Sequence, residues 1–247
     1  MVGGVRLVCS DIDGTVLGEP DAVAEFRKRW DELDGSRPIL IYSTGRLLED
    51  AKRVIRDGGL PWPDYFIGGV GTMVEEASSE EVVEAYHEVL NRDWNREEVD
   101  RVVCGFAGIE PQAAEQQHAW KSSWFWHDAQ EGDLNRLREA LAGAGLAAQV
   151  VYSSARDLDV LPVAANKGNA LRWICARLKV GLEEVVVCGD TGNDASMFLV
   201  PGVRGIAVGN AEPELIKAIG SAEVHQAKGR VAAGVIEGLK RYGVFES

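Results

Sequence analysis

The first residues that could do chemistry are Asp11-Ile12-Asp13-Gly14-Thr15, which directly follow an apolar run at residues 5–10. Side-chain direction repeats every second residue of a strand, so the two carboxylates are expected to leave the strand on the same side. Gly14 permits a sharp turn that brings the backbone close to a ligand. Asp-Gly is also common in ordinary turns. The pentapeptide alone therefore does not decide between a ligand site and a polar strand end.

Two further clusters could bind an anion. Ser43-Thr44-Gly45-Arg46 follows a second apolar run, and a hydroxyl with free backbone N–H groups at a helix start forms an anion site. Ser and Thr are equally ordinary helix N-caps.

Lys167 is the first residue of a predicted helix. The helix dipole favours negative charge at this end, so a cation there indicates a phosphate that it would neutralise. A solvated surface lysine is the commoner alternative.

The fourth cluster is Gly189-Asp190-Thr191-Gly192-Asn193-Asp194, again after an apolar run. Asp190 and Asp194 supply hard oxygen ligands of the kind that Mg²⁺ accepts. A polar loop with two glycines could carry the same residues. All four clusters nevertheless fall at strand ends on one edge of one predicted sheet, where open parallel sheets bind their ligands. The four together therefore indicate a functional site.

The elements that must position these clusters alternate along both ends of the chain. The apolar runs predict strands at residues 5–10, 38–43, 64–70, 184–189 and 205–208. Helical spacing predicts helices at 20–33, 46–57, 167–179 and 193–200. This alternation predicts an α/β fold with a doubly wound, mostly parallel sheet.

The middle of the chain has a different pattern. Polar helices are predicted near 94–107 and 131–143, and alternating strands near 120–127 and 148–153. We therefore expect an inserted α+β cap domain at residues 75–158. The core domain would comprise residues 1–74 and 159–247, with Gly68-Gly69-Val70-Gly71 marking the exit into the insert.

Composition excludes several partners. The formal net charge is −13, from 39 acidic and 26 basic residues, without the clustered cations that hold nucleic acid. Four scattered cysteines form no C-x-x-C pair. No apolar run approaches the roughly 18 residues that cross a membrane. We expect a soluble, cytoplasmic monomer or small homo-oligomer that binds a small molecule, without a nucleic-acid or membrane partner.

The order of the four clusters resembles that of the haloacid dehalogenase superfamily of phosphatases. The insert resembles the cap of the sucrose-phosphate phosphatase branch, and most closely the phosphatases of mannosylfructose-phosphate. The likeness runs through Gln117–Phe125, Tyr152-Ser153-Ser154 and Asp157–Pro162. It implies a Rossmann-like core and a Mg²⁺-dependent hydrolysis of mannosylfructose-phosphate or sucrose-6-phosphate.

The same resemblance implies a role for each residue of the clusters. Asp11 would be the nucleophile and Asp13 the general acid and base. The metal ion, Mg²⁺ or the chemically similar Mn²⁺, would be held by Asp11, the carbonyl of Asp13 and Asp190, with Asp194 supporting the metal or orienting Lys167. Thr44 and Lys167 would hold the phosphate. The remaining substrate-binding residues of the core are Gly45, Arg46 and Asn193, although Arg46 could instead only cap the site.

In the insert, the resemblance implies that Gln116, His118 and Lys121 contact the sugar. Trp124 and Trp126 share one face of a predicted strand and are expected to pack against the cap helices. Several alternatives stay open at this point. The chain could be a phosphatase of another sugar phosphate or of a glycosyl-phosphoglycerate, a sugar phosphomutase, or a non-catalytic sugar-phosphate sensor.

Overall fold

The structure, a computed structural model, describes residues 4–33, 35, 37–79, 81–91, 94–153, 155–220 and 222–246. The chain divides into two compact units, of which one comprises Met1–Val83 with Asn166–Ser247 and the other Glu84–Ala165. The strands are β1 (Leu7–Ser10), β2 (Ile39–Ser43), β3 (Tyr65–Gly68), β4 (Met73–Glu76), β5 (Glu81–Val82), β6 (Ile109–Pro111), β7 (Ser122–Trp126), β8 (Ala148–Ser153), β9 (Asp157–Pro162), β10 (Val185–Gly189), β11 (Arg204–Ala207) and β12 (Val224–Gln226). The helices are α1 (Pro20–Asp31), α2 (Leu48–Gly58), α3 (Glu84–Leu90), α4 (Arg96–Val103), α5 (Glu131–Gly143), α6 (Lys167–Leu178), α7 (Ala195–Phe198), α8 (Pro213–Ile219) and α9 (Val231–Arg241).

The sheet of the first unit has the order β12-β11-β10-β1-β2-β3-β4-β5 among the described residues. The strands from β12 to β3 are parallel, and β4 and β5 continue the sheet antiparallel. Ser10 is in register with Tyr42 of β2 and with Cys188 of β10. The segments that follow these three strands therefore leave the sheet at one edge. The predicted α/β class with a mostly parallel sheet is confirmed.

Apolar strands and helix faces build the core of this unit. Val8, Leu40 and Val186 on neighbouring strands are completely buried. α1 begins with Pro20, whose fixed φ suits the first turn of a helix. Its buried face carries Phe26 and Trp30, whose rings lie 5.8 Å apart. Burying such large rings is a main source of stability, because each removes a large apolar area from water.

The boundary between the units differs from the predicted one. Gly69, Val70 and Gly71 all have positive φ values (57°, 59° and 91°), so β3 ends at Gly68 and the chain turns back into β4. The turn thus joins two strands of one sheet and is not an exit into the insert. The predicted boundaries after residues 74 and 158 fall inside β4 and β9, because both strands continue their own sheets beyond those points.

The second unit contains an antiparallel sheet in the order β6-β7-β9-β8 among its described residues. Trp124 and Trp126 on β7 are buried against Val99 of α4 and Leu137 of α5. These two rings pack in a core, as the strand pattern predicted. Ser154, which contributes to the resemblance noted above, lies outside the described residues.

Helix length and hydropathy also bear on membrane association. Within the described ranges, the structure contains no helix that combines the length and the apolar character needed to cross a bilayer.

Candidate active site

The loop after β1 places Asp11 at the carboxyl edge of the sheet. Asp11 is buried, and its backbone N–H donates to the carbonyl of Cys188 on β10 at 3.0 Å. Thr15, four residues later, donates from its hydroxyl to Asp190 Oδ1 at 2.8 Å. Gly14 between them has a φ of 77°, and a Cβ at this position would lie 2.3 Å from Asp190 Oδ2. Only glycine allows the two strand ends to approach so closely.

Lys167 is a completely buried cation between two carboxylates. It is the first residue of α6, and the side chain of Asn166 caps this helix by accepting from the N–H of Asn169 at 2.8 Å. Lys167 Nζ donates to Asp11 Oδ1 at 2.7 Å and to Asp194 Oδ1 at 2.6 Å. Burial alone would lower the pKa of Lys167, but the attraction of both carboxylates outweighs it, so its pKa lies above the ordinary value. The lysine therefore stays charged.

Asp194 links this lysine to the turn after β10. Its Oδ1 accepts from Lys167, and its Oδ2 accepts from the backbone N–H groups of Asp190 and Thr191, both at 3.0 Å. A Cβ on Gly189 would lie 2.6 Å from the Cβ of Asp194, so the turn requires glycine there. Both carboxylate oxygens of Asp194 are thus engaged by the protein. This geometry favours the role of orienting Lys167 over direct metal binding.

Asp11, Asp190 and Asp194 form an acidic group that suits a divalent cation. Each offers a carboxylate oxygen, and these oxygens lie within 4.8 Å of one another. With all three carboxylates ionised and Lys167 as the neighbouring cation, three negative charges and one positive charge leave a net charge of −2. Buried charges need compensation, and Mg²⁺ with its preference for carboxylate oxygen would supply the missing two. The donor set therefore fits the expected metal ion.

Two of these acids have raised pKa values. Burial raises the pKa of Asp11 to about 8, although Lys167 opposes the rise. Burial likewise raises the pKa of Asp190 to about 6, against the hydrogen bond from Thr15. A bound divalent cation would favour the ionised form of both carboxylates.

Asp13 lies in a different environment from Asp11. Its carboxylate is about half exposed and accepts two hydrogen bonds from Arg46, from Nε at 2.7 Å and from Nη2 at 2.8 Å. The structure therefore does not bring the Asp13 side chain into the acidic group. A metal contact from Asp13 would have to use its backbone carbonyl.

Arg46 and Thr44 form the second strand end of the site. Arg46 Nη1 also donates to Asp50 Oδ2 at 2.5 Å, so α2 fixes the guanidinium that holds Asp13. Thr44 is buried, and its Oγ1 accepts from the N–H of Arg46 at 3.2 Å. Ser43 Oγ and Asn193 Oδ1 are buried without a hydrogen-bond partner in the described part of the chain. Buried polar atoms are rarely left unpaired, so these two are candidates for ligand contact.

In the second unit, the predicted sugar-contacting residues have different surroundings. Lys121 is buried, and its Nζ donates to Asp159 Oδ1 at 2.5 Å and to the hydroxyl of Ser123. His118 exchanges backbone hydrogen bonds with Lys121, and burial lowers the pKa of its imidazole to about 4. Gln116 has an exposed side chain, while its carbonyl accepts from Ser123 Oγ at 3.1 Å.

Sequence reasoning gave no role to Asp159 or to Asp50. The pairing of β7 with β9 accounts for Asp159, because Ser123 lies directly opposite Asp159. Lys121 is two residues from Ser123 on the same strand face, so it lies within reach of the same carboxylate. Asp50 lies four residues after Arg46, a spacing that predicts an ion pair once the start of the helix is known. The contact between Arg46 and Asp13 joins two strand ends, and no local spacing indicates it.

A doubly wound sheet that is interrupted by an inserted unit is the fold of solved phosphatases of the haloacid dehalogenase superfamily, with TM-scores of 0.67 and 0.70. The model of the sucrose-6F-phosphate phosphohydrolase family matches residues 5–243. The chain belongs to this family of phosphoric monoester hydrolases. The resemblance described from the sequence is thereby confirmed.

Individual relatives are similar over nearly the whole chain. The mannosylfructose-phosphate phosphatase of Agrobacterium fabrum is 44% identical over 242 residues, which cover 97% of this chain and 98% of that protein. A probable sucrose-phosphatase 2 of Arabidopsis thaliana is 30% identical, and the match covers 96% of this chain but 59% of the plant protein. The sucrose-phosphatase of Synechocystis sp. PCC6803, solved with sucrose and phosphate, superimposes with a TM-score of 0.91 at 30% identity, covering 99% and 100% of the two chains.

Proposed function

We propose that this chain hydrolyses a phosphorylated disaccharide, mannosylfructose-phosphate or sucrose-6-phosphate, through an aspartyl-phosphate intermediate on Asp11. The observation that carries the proposal is the buried ion pair between Asp11 and Lys167, which holds a carboxylate oxygen and a permanent cation 2.7 Å apart. Phosphoryl transfer needs both a nucleophile and a fixed positive charge beside it. The 44% identity to a mannosylfructose-phosphate phosphatase over nearly the full length of both chains supports the choice of substrate.

In the first step, a carboxylate oxygen of Asp11 attacks phosphorus and the bond from phosphorus to the sugar oxygen breaks. Asp13 donates a proton to the departing sugar oxygen. In the second step, Asp13 takes a proton from water, whose oxygen attacks phosphorus and displaces the Asp11 carboxylate. Phosphate leaves, and both aspartates return to their starting states.

Arg46 is the side chain that sets the position of Asp13 for these proton transfers. Its two hydrogen bonds to the ionised Asp13 carboxylate, together with its bond to Asp50, restrict the rotamer of Asp13. When Asp13 carries its proton, one oxygen would release Arg46 and the other would keep the bond that holds the rotamer. We propose that Arg46 acts chiefly in this way. Any contact with the substrate would compete with these bonds.

The phosphate would be held by Lys167, Thr44, Gly45 and Asn193. Lys167 keeps its charge, Thr44 and Gly45 lie where β2 ends, and Asn193 would donate from its side-chain Nδ2. These groups would stabilise the charge that spreads over the phosphoryl oxygens in the transition state.

Mg²⁺ would be held by Asp11, Asp190 and the carbonyl of Asp13, and when bound it would reduce the repulsion between the Asp11 carboxylate and the phosphate. We assign Asp194 to the orientation of Lys167 because the protein engages both of its oxygens. Thr15 holds Asp190 in turn. Partners of this kind orient metal-binding groups in many sites.

We propose that the second unit determines which sugar is accepted. Lys121 and Asp159 form a buried, neutral pair of a strong donor and a strong acceptor, a combination suited to sugar hydroxyl groups. Gln116 and His118 belong to the same loop and strand region and would add further polar contacts. This assignment treats residues 84–165 as the specificity domain and the rest of the chain as the catalytic domain.

The experiment is a measurement of phosphate release, with Mg²⁺, from mannosylfructose-phosphate, sucrose-6-phosphate, hexose phosphates and mannosyl-3-phosphoglycerate. A strong preference for the first two substrates is expected. Activity on simple hexose phosphates alone would keep the phosphatase and overturn the disaccharide assignment. No phosphate release from any substrate, with the fold intact and Mg²⁺ bound, would favour a sensor. Transfer of phosphate within the sugar without its release would identify a mutase.

A further inference from the structure

Asn210, just after β11, connects the loop after β1 to the start of the last helix. Its Nδ2 donates to the carbonyl of Gly14 at 2.8 Å, and its Oδ1 accepts from the N–H of Val231 at 2.8 Å. The side chain is half-buried. One amide thus uses its donor and its acceptor on two backbone segments that are far apart in sequence.

The Gly14 end of this link lies within the acid-bearing loop. Gly14 directly follows Asp13, and its Cα approaches Asp190 so closely that no side chain fits. A hydrogen bond to its carbonyl fixes the plane of the peptide between Gly14 and Thr15. The same turn holds the other strand end, because the N–H of Glu212 donates to the carbonyl of Asp190 at 2.7 Å. Residues 210–212 therefore hold both Gly14 and Asp190.

The Val231 end of the link is conformationally unusual. Val231 has a φ of 40°, a region that β-branched residues rarely adopt. Such conformations persist where surrounding groups over-determine them, and they cluster at functional sites. Asn210 Oδ1 is one such group. The side chain of Val231 also lies close to Gly18, because a Cβ added at Gly18 would be 3.0 Å from Val231 Cγ1. The start of α9 is thus a rigid anchor for the amide that reaches Gly14.

We propose that Asn210 is a positioning residue for phosphoryl transfer, holding the loop of Asp11, Asp13 and Gly14 against the turn that carries Asp190. The inference rests on the proposed function. Nucleophile and metal-binding groups must be held to a fraction of an ångström, because small displacements of reacting groups reduce rates strongly. Asn210 contributes to this through the Gly14 carbonyl and does not itself contact the reacting atoms.

Two variants separate this role from a purely structural one. Asn210→Ala removes both hydrogen bonds. Asn210→Asp keeps an oxygen that accepts from the N–H of Val231. Its second carboxylate oxygen replaces the amide donor and faces the Gly14 carbonyl, so two acceptors meet and that hydrogen bond is lost. If Asn210 only stabilised the start of α9, the Asp variant would behave like the wild type. Asn95→Ala is the matched control, since Asn95 caps α4 in the second unit by accepting from the N–H of Glu98 at 3.1 Å.

Steady-state kinetics on mannosylfructose-phosphate are the first measurement. We expect kcat to fall by about 10- to 100-fold in both Asn210 variants, with KM changed by less than about threefold, as is typical when an outer partner of a metal site is lost. Asn95→Ala should lose stability and keep its kcat. The inference would be overturned if Asn210→Asp had the kcat of the wild type. It would also be overturned if the decrease in kcat of either Asn210 variant only matched the fraction of that variant that is unfolded.

Calorimetric titration of the substrate-free protein with Mg²⁺ provides a second measurement that does not depend on activity. Asn210→Ala is expected to bind Mg²⁺ about tenfold more weakly than the wild type and Asn95→Ala. Equal binding by all three proteins would overturn the inference. If the wild type released no phosphate from any substrate, the proposed function would fail, and this titration would still decide whether Asn210 positions the loop.

Discussion

Each unit of the protein contains a buried lysine in an ion pair, and the two lysines differ in how their charge is balanced. In the first unit, Lys167 is completely buried between Asp11 and Asp194, with the carboxylate of Asp190 close by. In the second unit, Lys121 is 5% exposed and forms an ion pair with Asp159, which is 18% exposed. The first lysine belongs to a cluster with excess negative charge, whereas the second belongs to a neutral pair.

This difference indicates different ligands. Excess buried negative charge is costly and is relieved by a further cation or by protonation, so the first cluster suits a metal ion and then a phosphate. A neutral donor and acceptor pair has no such requirement and suits uncharged hydroxyl groups.

Lys52 in the first unit provides a reference for a lysine without any proposed role. It is buried and contacts Glu75 Oε1 at 2.9 Å and Glu49 Oε1 at 3.0 Å.

The strongest effect is expected from Asp11→Asn, which keeps the shape of the nucleophile and removes its charge. The amide does not attack phosphorus, so kcat for phosphate release should fall by at least about 10⁴-fold. Asp31→Asn on the surface of α1 is the control and should keep wild-type kinetics. A kcat within tenfold of the wild type in Asp11→Asn would remove Asp11 from the mechanism.

Lys167→Met should strongly destabilise the metal-free protein. Removing the cation leaves the Asp11 and Asp194 carboxylates buried without a counterion, at a cost of about 3–5 kcal/mol in the free energy of unfolding. Urea denaturation with and without Mg²⁺ measures this, and Mg²⁺ should recover part of the loss. Lys52→Met should also lose stability but gain no such recovery. If Mg²⁺ raised the free energy of unfolding of both variants equally, the excess of negative charge around Lys167 would not be what binds the metal ion.

Lys121→Met is expected to affect substrate binding more than chemistry. Loss of one charged hydrogen-bond donor to the sugar should raise KM for mannosylfructose-phosphate by about tenfold, with a smaller change in kcat. The KM for a small artificial phosphate ester should stay the same. Lys52→Met is again the control, because it removes a buried lysine that has no proposed substrate contact. An unchanged KM for the disaccharide would leave Lys121 with a structural role only.

The smallest effect concerns His118 and pH. Burial, reinforced by the positive charge of His87, Arg96 and Lys121, lowers the pKa of His118 to about 4 from an ordinary 6.5. Between these values the unfolded chain binds a proton that the folded chain does not, so stability falls as pH falls from 6.5 towards 4.

The variant His118→Gln tests this pH effect. It should weaken the decrease in melting temperature between pH 7 and pH 5, as followed by circular dichroism. An identical decrease in the variant and the wild type would show that His118 does not contribute.

The sequence predicted much of the core site because its residues follow strands directly. Asp11, Thr44 and Asp190 are each the first residue after a buried parallel strand, and the carboxyl ends of such strands share one edge. Lys167 could be placed at a helix start by the N-cap Asn166 just before it. Local pattern and topology were sufficient for these residues.

Features that depend on distant pairing could not be predicted in this way. β4 contains Glu75, a buried carboxylate that forms an ion pair with Lys52 on α2. A local pattern does not show that partner, and the predicted domain boundary was therefore placed inside this strand. The pair of Arg46 with Asp13 and the link from Asn210 to Gly14 likewise join segments that are separated in the sequence.

Trapping the aspartyl-phosphate on Asp11 tests the proposed mechanism most directly. Asp13→Asn should slow both steps for a sugar phosphate. With p-nitrophenyl phosphate the leaving group needs no proton, so only the second step stays slow and the aspartyl-phosphate should accumulate. After an acid quench in the presence of Mg²⁺, mass spectrometry is predicted to find phosphate on the peptide that contains Asp11. Nucleophilic attack by Asp11 would be contradicted if the enzyme released p-nitrophenol in steady turnover while the peptide that contains Asp11 stayed unmodified at every quench time.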